Sequence, residues 1–328
     1  MPDPITHYVF GQELRSRLDN TVLENIDTAV FSRALQGADP WSTIGFYGAE
    51  NKQYSVRSNI MHKEKTGLFL LELTLSVRKN PCVEGFSLLA GFLCHYCLDK
   101  TCHPYIIAKS GDCDGTKETL HLRSSHVRLE RAIDSYYIRK YYNKKPWHFS
   151  LPKNIFTLKE YPECLKKTID EVFFKVYGFA DAFNLFNKAL KDEALFYGLM
   201  QDRFGLAHYL LRLVSNKNTN FALFSYYKRE TDSEKIDYLN LKNSVWLHPY
   251  DSSQEHRENF EQLFEQALNQ AEEMINGAYK YVFGGEDLPL DKLYGNASYC
   301  TGFDCFDARN DSKPCYQPII YKHKYWNN

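Results

Sequence analysis

The sequence predicts an all-α fold, in which a bundle of several helices is followed by an irregular C-terminal extension. Over most of the chain, apolar residues recur at intervals of three and four rather than at every second residue, which is the helical period. Breakers such as Gly37, Pro40 and Gly45 fall between the periodic stretches. The chain has 328 residues, of which 44% are hydrophobic and 15% aromatic, so a substantial core can form.

Helical periodicity marks six segments before residue 215: 8–18, 51–62, 84–103, 122–142, 167–190 and 193–214. We expect residues 37–50 to form a loop because of their glycines and proline. Residues 218–250 contain the β-prone pieces FALFSYY and VWL, which predict an excursion or a hairpin.

The clearest helix is expected over residues 252–281. Ser252 and Glu255 have the spacing of a capping box, and an apolar stripe runs from Phe260 to Met274. After Gly284 the periodicity ends, which predicts a tail wrapped around the helical body. We therefore expect residues 215–328 to pack as an extension on a body formed by residues 1–214.

Composition and charge restrict the classes of partner and the cellular location. The net charge is −1, with 40 basic and 41 acidic residues, so a stable nucleic-acid partner is not expected. The amino terminus has no secretory signal pattern, and nine cysteines are typical of reduced thiols; both favour a cytoplasmic location. The most apolar stretch, Gly67–Val77, is too short to span a membrane.

The most informative motif is His95, Asp99 and His103, three residues of metal-ligand type spaced four apart. On a helix, each step of four residues turns about 400° and rises about 6 Å, so all three share one face. These three residues, called the ladder below, extend over two helical turns. That distance is too long for a single ion, whose ligands lie about 2 Å from it. It suits two or three neighbouring ions, with Asp99 able to bridge them.

Other residues of ligand type accompany the ladder. His126 and Glu130 are again four apart on one helical face. His7 opens the first helix, Asp39 lies in the turn GADPW, and His62 ends a helical stretch. Three cysteines interleave the ladder and are expected to be buried thiols, Cys102 being close enough to its face to support a ligand: Cys94, Cys97 and Cys102.

The order His, Asp-Pro, Met-His, His-x3-Asp-x3-His-Pro, His-x3-Glu resembles the zinc-dependent phospholipase C family. The start PDPITHYVFG and the run GFLCHYCLDKTCHPY look particularly like cytosolic bacterial members, and the resemblance covers about residues 1–150. It implies an all-helical domain over residues 1–214 that holds zinc in a cleft and is related to zinc-dependent single-strand nucleases.

The resemblance also implies roles for individual residues in binding two to three zinc ions. One ion would be held by Asp39, His62, His95 and Asp99. A second would be held by His103, His126 and Glu130. A third would be held by His7, the bridging Asp99 and the chain's terminal amine, which methionine removal would place on Pro2.

The chemistry expected of this cluster is hydrolysis of a phosphodiester by metal-bound hydroxide, because clustered zinc acidifies water and neutralises phosphoryl oxygens. Asp39 is a candidate general base as well as a ligand, and Trp41 beside it is a candidate substrate contact. A phospholipid headgroup is the first candidate substrate. The alternatives are a nucleotide or other small phosphoester on the same cluster, as in a nucleotidase or nuclease, and a non-catalytic helical protein that zinc merely stabilises.

Overall fold

The computed structural model describes residues 4–111, 120–201, 204, 206 and 236–316, and these form an all-α fold, as the sequence predicted. The helices are α1 (Pro4–Arg15), α2 (Asn20–Leu23), α3 (Thr28–Ala34), α4 (Pro40–Thr43), α5 (Glu50–Tyr54), α6 (Val56–Lys63), α7 (Thr66–Lys79), α8 (Val83–Ser110), α9 (Leu120–Tyr142), α10 (Leu151–Asn154), α11 (Lys166–Tyr177), α12 (Ala182–Met200), α13 (Phe260–Val282) and α14 (Leu290–Tyr294). Short 3-10 helices span Pro146–His148, Glu163–Leu165 and Ala308–Asp311. Within the described ranges the one sheet is an antiparallel pair, β1 (Trp246–His248) and β2 (Asp251–His256).

The core is organised around α8, which is apolar on nearly every side and is buried along almost its whole length. Helices α3, α7, α9 and α13 pack against it. Since α8 carries the His95–Asp99–His103 ladder, the ladder lies at the centre of the molecule rather than on a solvated face.

The start of the helix predicted over residues 252–281 was wrong. Ser252 and Glu255 lie in β2, which pairs with β1, and α13 begins at Phe260. Its capping box is formed instead by Asn259 and Gln262, whose side chains and backbone N–H groups bond reciprocally. The residue that caps the helix is therefore Asn259, which immediately precedes the apolar stripe.

The single helix predicted over residues 167–190 is two helices, α11 and α12. Gly178 ends α11 in the left-handed conformation with φ of +72°, which a residue with a Cβ adopts only with strain. The predicted helix 193–214 is the second half of α12 as far as Met200, and most of its remaining residues lie outside the described ones. The β-prone piece FALFSYY also lies outside them, whereas VWL contributes to β1.

The tail after Gly284 contacts the helical body at several points. The Tyr294 hydroxyl lies 3.0 Å from that of Thr74, and the Tyr96 hydroxyl donates to the Tyr294 carbonyl at 2.8 Å. The backbone N–H of Tyr299 donates to the carbonyl of His62 at 2.8 Å. The tail therefore reaches the helices that carry the predicted ligands. Among the described helices, none has the length and apolarity needed to cross a bilayer.

Candidate metal centre

The predicted side-chain ligands converge in three groups, within each of which the ligand atoms all lie within 4.8 Å of one another. The groups are His7 with His95 and Asp99, Asp39 with His62 and His95, and His103 with His126 and Glu130. All eight side chains predicted from the sequence therefore belong to at least one group. The terminal amine expected at Pro2 lies outside the described residues.

The group containing Asp39 joins three separate elements. His62 lies in the last turn of α6 and its Nε2 is 3.2 Å from Asp39 Oδ1, while His95 Nε2 on α8 is 3.9 Å from the same oxygen. Asp39 occupies the N-cap position of α4, yet its side chain accepts no capping hydrogen bond. Its carboxylate is turned to the imidazoles instead of to the helix N-terminus.

Asp99 connects this group to His7 on α1. Its Oδ1 lies 3.2 Å from His7 Nε2, whereas its Oδ2 lies 3.3 Å from His95 Nε2 and 3.6 Å from His62 Nε2. The carboxylate is fully buried, and its two oxygens face different histidines. This arrangement fits a carboxylate that bridges two cations, one at each oxygen.

The third group combines the end of the ladder with α9. His126 Nε2 lies 3.0 Å from Glu130 Oε1 and 3.2 Å from His103 Nε2. His103 and Glu130 are buried, and His126 is partly exposed. The i, i+4 spacing on α9 therefore brings both of its predicted ligands to the His103 end of α8.

Hydrogen bonds on the far side of the imidazoles show which nitrogen faces each cluster. A backbone carbonyl can only accept, so His62 Nδ1–H donates to Ser58 O at 2.6 Å and His95 Nδ1–H donates to Leu35 O at 3.2 Å. In the neutral imidazole, the remaining Nε2 then presents a lone pair to a carboxylate. Two acceptors at this distance repel unless a proton or a metal ion lies between them.

The buried polar atoms of the cluster fit a zinc ion because they lack other partners. Within the described part of the chain, six of them have no hydrogen-bond partner: His7 Nε2, His62 Nε2, His95 Nε2, Asp39 Oδ1, Asp99 Oδ1 and Asp99 Oδ2. Unpartnered polar atoms are costly to bury, and so many in one cluster need a shared ligand. Imidazole nitrogen together with carboxylate oxygen is a donor set that zinc prefers.

The pKa values of the histidines differ according to their surroundings. Burial lowers the pKa of His62, but the carboxylates of Asp39 and Asp99 outweigh this effect and raise it to about 9. Burial dominates at His95, whose pKa falls to about 4, and at His103, whose pKa is well below its usual value. At neutral pH, His95 and His103 are therefore neutral, the form that binds metal, and a metal at His62 would replace its proton.

Tyr299 is a site residue that sequence reasoning missed. Its ring centroid lies 5.1 Å from that of His62 and 5.4 Å from that of His95, with edge-to-face geometry, and only 1% of its surface is exposed. The Ser298 hydroxyl also donates to the His62 carbonyl, at 3.3 Å. No spacing in the tail indicates this contact, because it depends on how a distant segment folds back.

Trp41, predicted to contact the substrate, lies in the interior. Its side chain is completely buried, stacks on Phe186 with ring centroids 5.3 Å apart, and carries the guanidinium of Arg57 4.8 Å above its ring. In this position it anchors α4, and with it Asp39, to α12. The interleaved cysteines Cys94, Cys97 and Cys102 are buried free thiols, as expected.

A match between the sequence and a known protein family agrees with a zinc site at these residues. Residues 41–182 match the family model described as zinc dependent phospholipase C. The matched segment is similar to that family and contains His62, the whole His95–Asp99–His103 ladder, His126 and Glu130. Searches of curated proteins and of solved structures found no match. His7, Asp39 and Tyr299 lie outside the matched residues.

Proposed function

We propose that this protein is a zinc-dependent phosphodiester hydrolase of the phospholipase C type. The observation that carries the proposal is the convergence of eight side chains on three groups of ligand atoms, several of them buried without partners. The family match over residues 41–182 supports zinc as the metal and a phosphoester as the substrate.

Each group has a defined part in the proposed site. Asp39, His62, His95 and Asp99 would hold one zinc ion, and His103, His126 and Glu130 a second. His7 and Asp99, which share a close contact, would contribute to a third. When bound, zinc supplies Lewis acidity, which acidifies water and neutralises the charge of phosphoryl oxygens.

The chain's own groups would orient the reactants and accept the proton. Asp39 and His126 are the most accessible members of the cluster, with 13% and 16% of their side-chain surface exposed, so substrate would enter on their side. Asp39 is within reach of that opening, and its carboxylate would accept the proton of the attacking water. The buried histidines behind it would keep bulk water away from the reacting phosphorus.

A substrate panel with parallel zinc analysis tests the proposal. The purified zinc-loaded protein would be offered phosphatidylcholine, phosphatidylinositol, mononucleotides and an aryl phosphodiester. Hydrolysis of a phospholipid or the aryl diester, with at least two zinc ions per chain, supports it. Fewer than two zinc ions would contradict it, cleavage of nucleotides alone would favour the nucleotidase alternative, and bound zinc without any hydrolysis would favour a purely stabilising role.

Replacement of Asp39 by asparagine tests its proposed role as the base. We expect turnover to fall by about 10²–10⁴-fold, which is the usual contribution of a positioned general base. The matched control is Asp19→Asn, an exposed carboxylate at the start of α2 whose side chain caps nothing. Full turnover together with full zinc occupancy in the Asp39 variant would exclude Asp39 as the base.

A further inference from the structure

A buried carboxylate outside the ligand set lies one helical turn beyond Glu130. His126, Glu130 and Asp134 are spaced four residues apart on α9. Their side chains therefore share one face of the helix. Only 2% of Asp134 is exposed. Its position on the face that carries two predicted ligands calls for a physical explanation.

Three hydrogen bonds join Asp134 to the first turn of α1. One carboxylate oxygen accepts from the Thr6 N–H at 2.8 Å and from the Thr6 hydroxyl at 2.6 Å, and the other accepts from the Ile5 N–H at 3.2 Å. The first N–H groups of a helix have no partner within that helix. Asp134 therefore caps α1 from another helix, with a charge that the helix N-terminus favours.

This cap acts directly beside a predicted ligand. His7 follows Thr6 in the same turn, and its Nε2 lies 3.2 Å from Asp99 Oδ1. A shift of the first turn of α1 would move His7 relative to Asp99. The carboxylate of Asp134 thus fixes the distance between α1 and the two helices, α8 and α9, that carry five of the other seven predicted ligands.

We propose that Asp134 is a positioning residue of the metal centre, which holds α1 so that His7 meets Asp99. The proposal rests on the proposed zinc-dependent function. It assigns Asp134 no contact with the metal or the substrate. Its effect passes through the three hydrogen bonds to Ile5 and Thr6, and the loss of these bonds should weaken zinc binding before it unfolds the protein.

The test compares Asp134→Asn with Asp170→Asn in the full chain. Asp170 is a matched control because its Oδ1 accepts from the N–H of Phe183, at 2.8 Å, in the first turn of α12. Each variant removes a charged cap that one helix provides for another, but only one of these caps lies beside a predicted ligand. Zinc per chain is measured by elemental analysis, zinc affinity by competition with a chelating dye, and the order of α1 by amide hydrogen exchange.

We expect Asp134→Asn to speed exchange in α1 and to lower the affinity of the weakest-bound zinc at least tenfold. Asp170→Asn should leave zinc affinity within twofold of the wild type. Should Asp134→Asn fold poorly, Thr6→Val removes only the hydroxyl donor and should cause a smaller loss of the same kind. Unchanged zinc affinity in a folded Asp134 or Thr6 variant would overturn the inference alone, whereas a wild-type chain without zinc would overturn the proposed function and the inference with it.

Discussion

At the scale of single residues, Gly37 shows how closely the backbone approaches the cluster. Gly37 has a φ of +48°, and a Cβ built on it would lie 2.2 Å from His95 Cδ2, far inside contact distance. The imidazole of His95 is thus packed against the backbone that leads to Asp39. Only glycine allows this approach and this backbone conformation together.

Replacement of Gly37 by alanine should therefore displace His95 from the group that it shares with Asp39 and His62. We expect zinc affinity to fall at least tenfold, since the added methyl group occupies the place of the imidazole. Gly48→Ala is the matched control, because a Cβ there meets no atom within 4 Å. Competition with a chelating dye measures both variants, and equal zinc affinity would contradict the packing argument.

The residues that converge in the candidate metal centre could be predicted from the sequence, but the residues that support them could not. The i, i+4 spacing of His95, Asp99 and His103 predicts a shared face from helical geometry alone. Gly37 and Tyr299 act through contacts between segments far apart in the chain, and no local pattern encodes such contacts. The burial of Trp41 could not be predicted for the same reason, since the aromatic side chains that bury it come from α11 and α12.

At the scale of elements, two capping signatures compete for the start of α13. Ser252 with Glu255 and Asn259 with Gln262 both have the required spacing, and the first residue of each pair precedes the same apolar stripe. The stripe begins at Phe260, so helix between Ser252 and Asn259 would bury no apolar face. Those residues pair with β1 instead, which satisfies their backbone groups.

Alanine substitutions distinguish the two signatures by experiment. Asn259→Ala removes the side chain that accepts from the Gln262 N–H and should cost about 1 kcal/mol of unfolding free energy. Ser252→Ala, on the exposed strand, should change it by less than about 0.5 kcal/mol. Urea denaturation of the zinc-loaded protein measures both, and a larger cost at Ser252 would contradict the observed start of α13.

At the scale of the whole molecule, the candidate metal centre combines residues that are far apart in the chain. His7 comes from α1, the ladder from α8, and Tyr299 from the tail, some 290 residues after His7. The family match over residues 41–182 contains neither end. We therefore expect formation of the centre to be coupled to folding, so that zinc stabilises the folded state as a whole.

Zinc removal tests this coupling, and Tyr299 variants show whether the tail takes part. Zinc at 100 times its dissociation constant stabilises a folded protein by about 2.7 kcal/mol, so chelation should lower the melting temperature of the wild type.

Tyr299→Ala removes the ring that packs on His62 and His95, and should reduce the difference in melting temperature between the zinc-loaded and zinc-free forms. Tyr299→Phe keeps the ring and should retain this difference. Phe306→Ala is the control from the same tail, because 87% of that side chain is exposed. If Tyr299→Ala lowered both melting temperatures equally, the tail would stabilise the fold without supporting the metal centre.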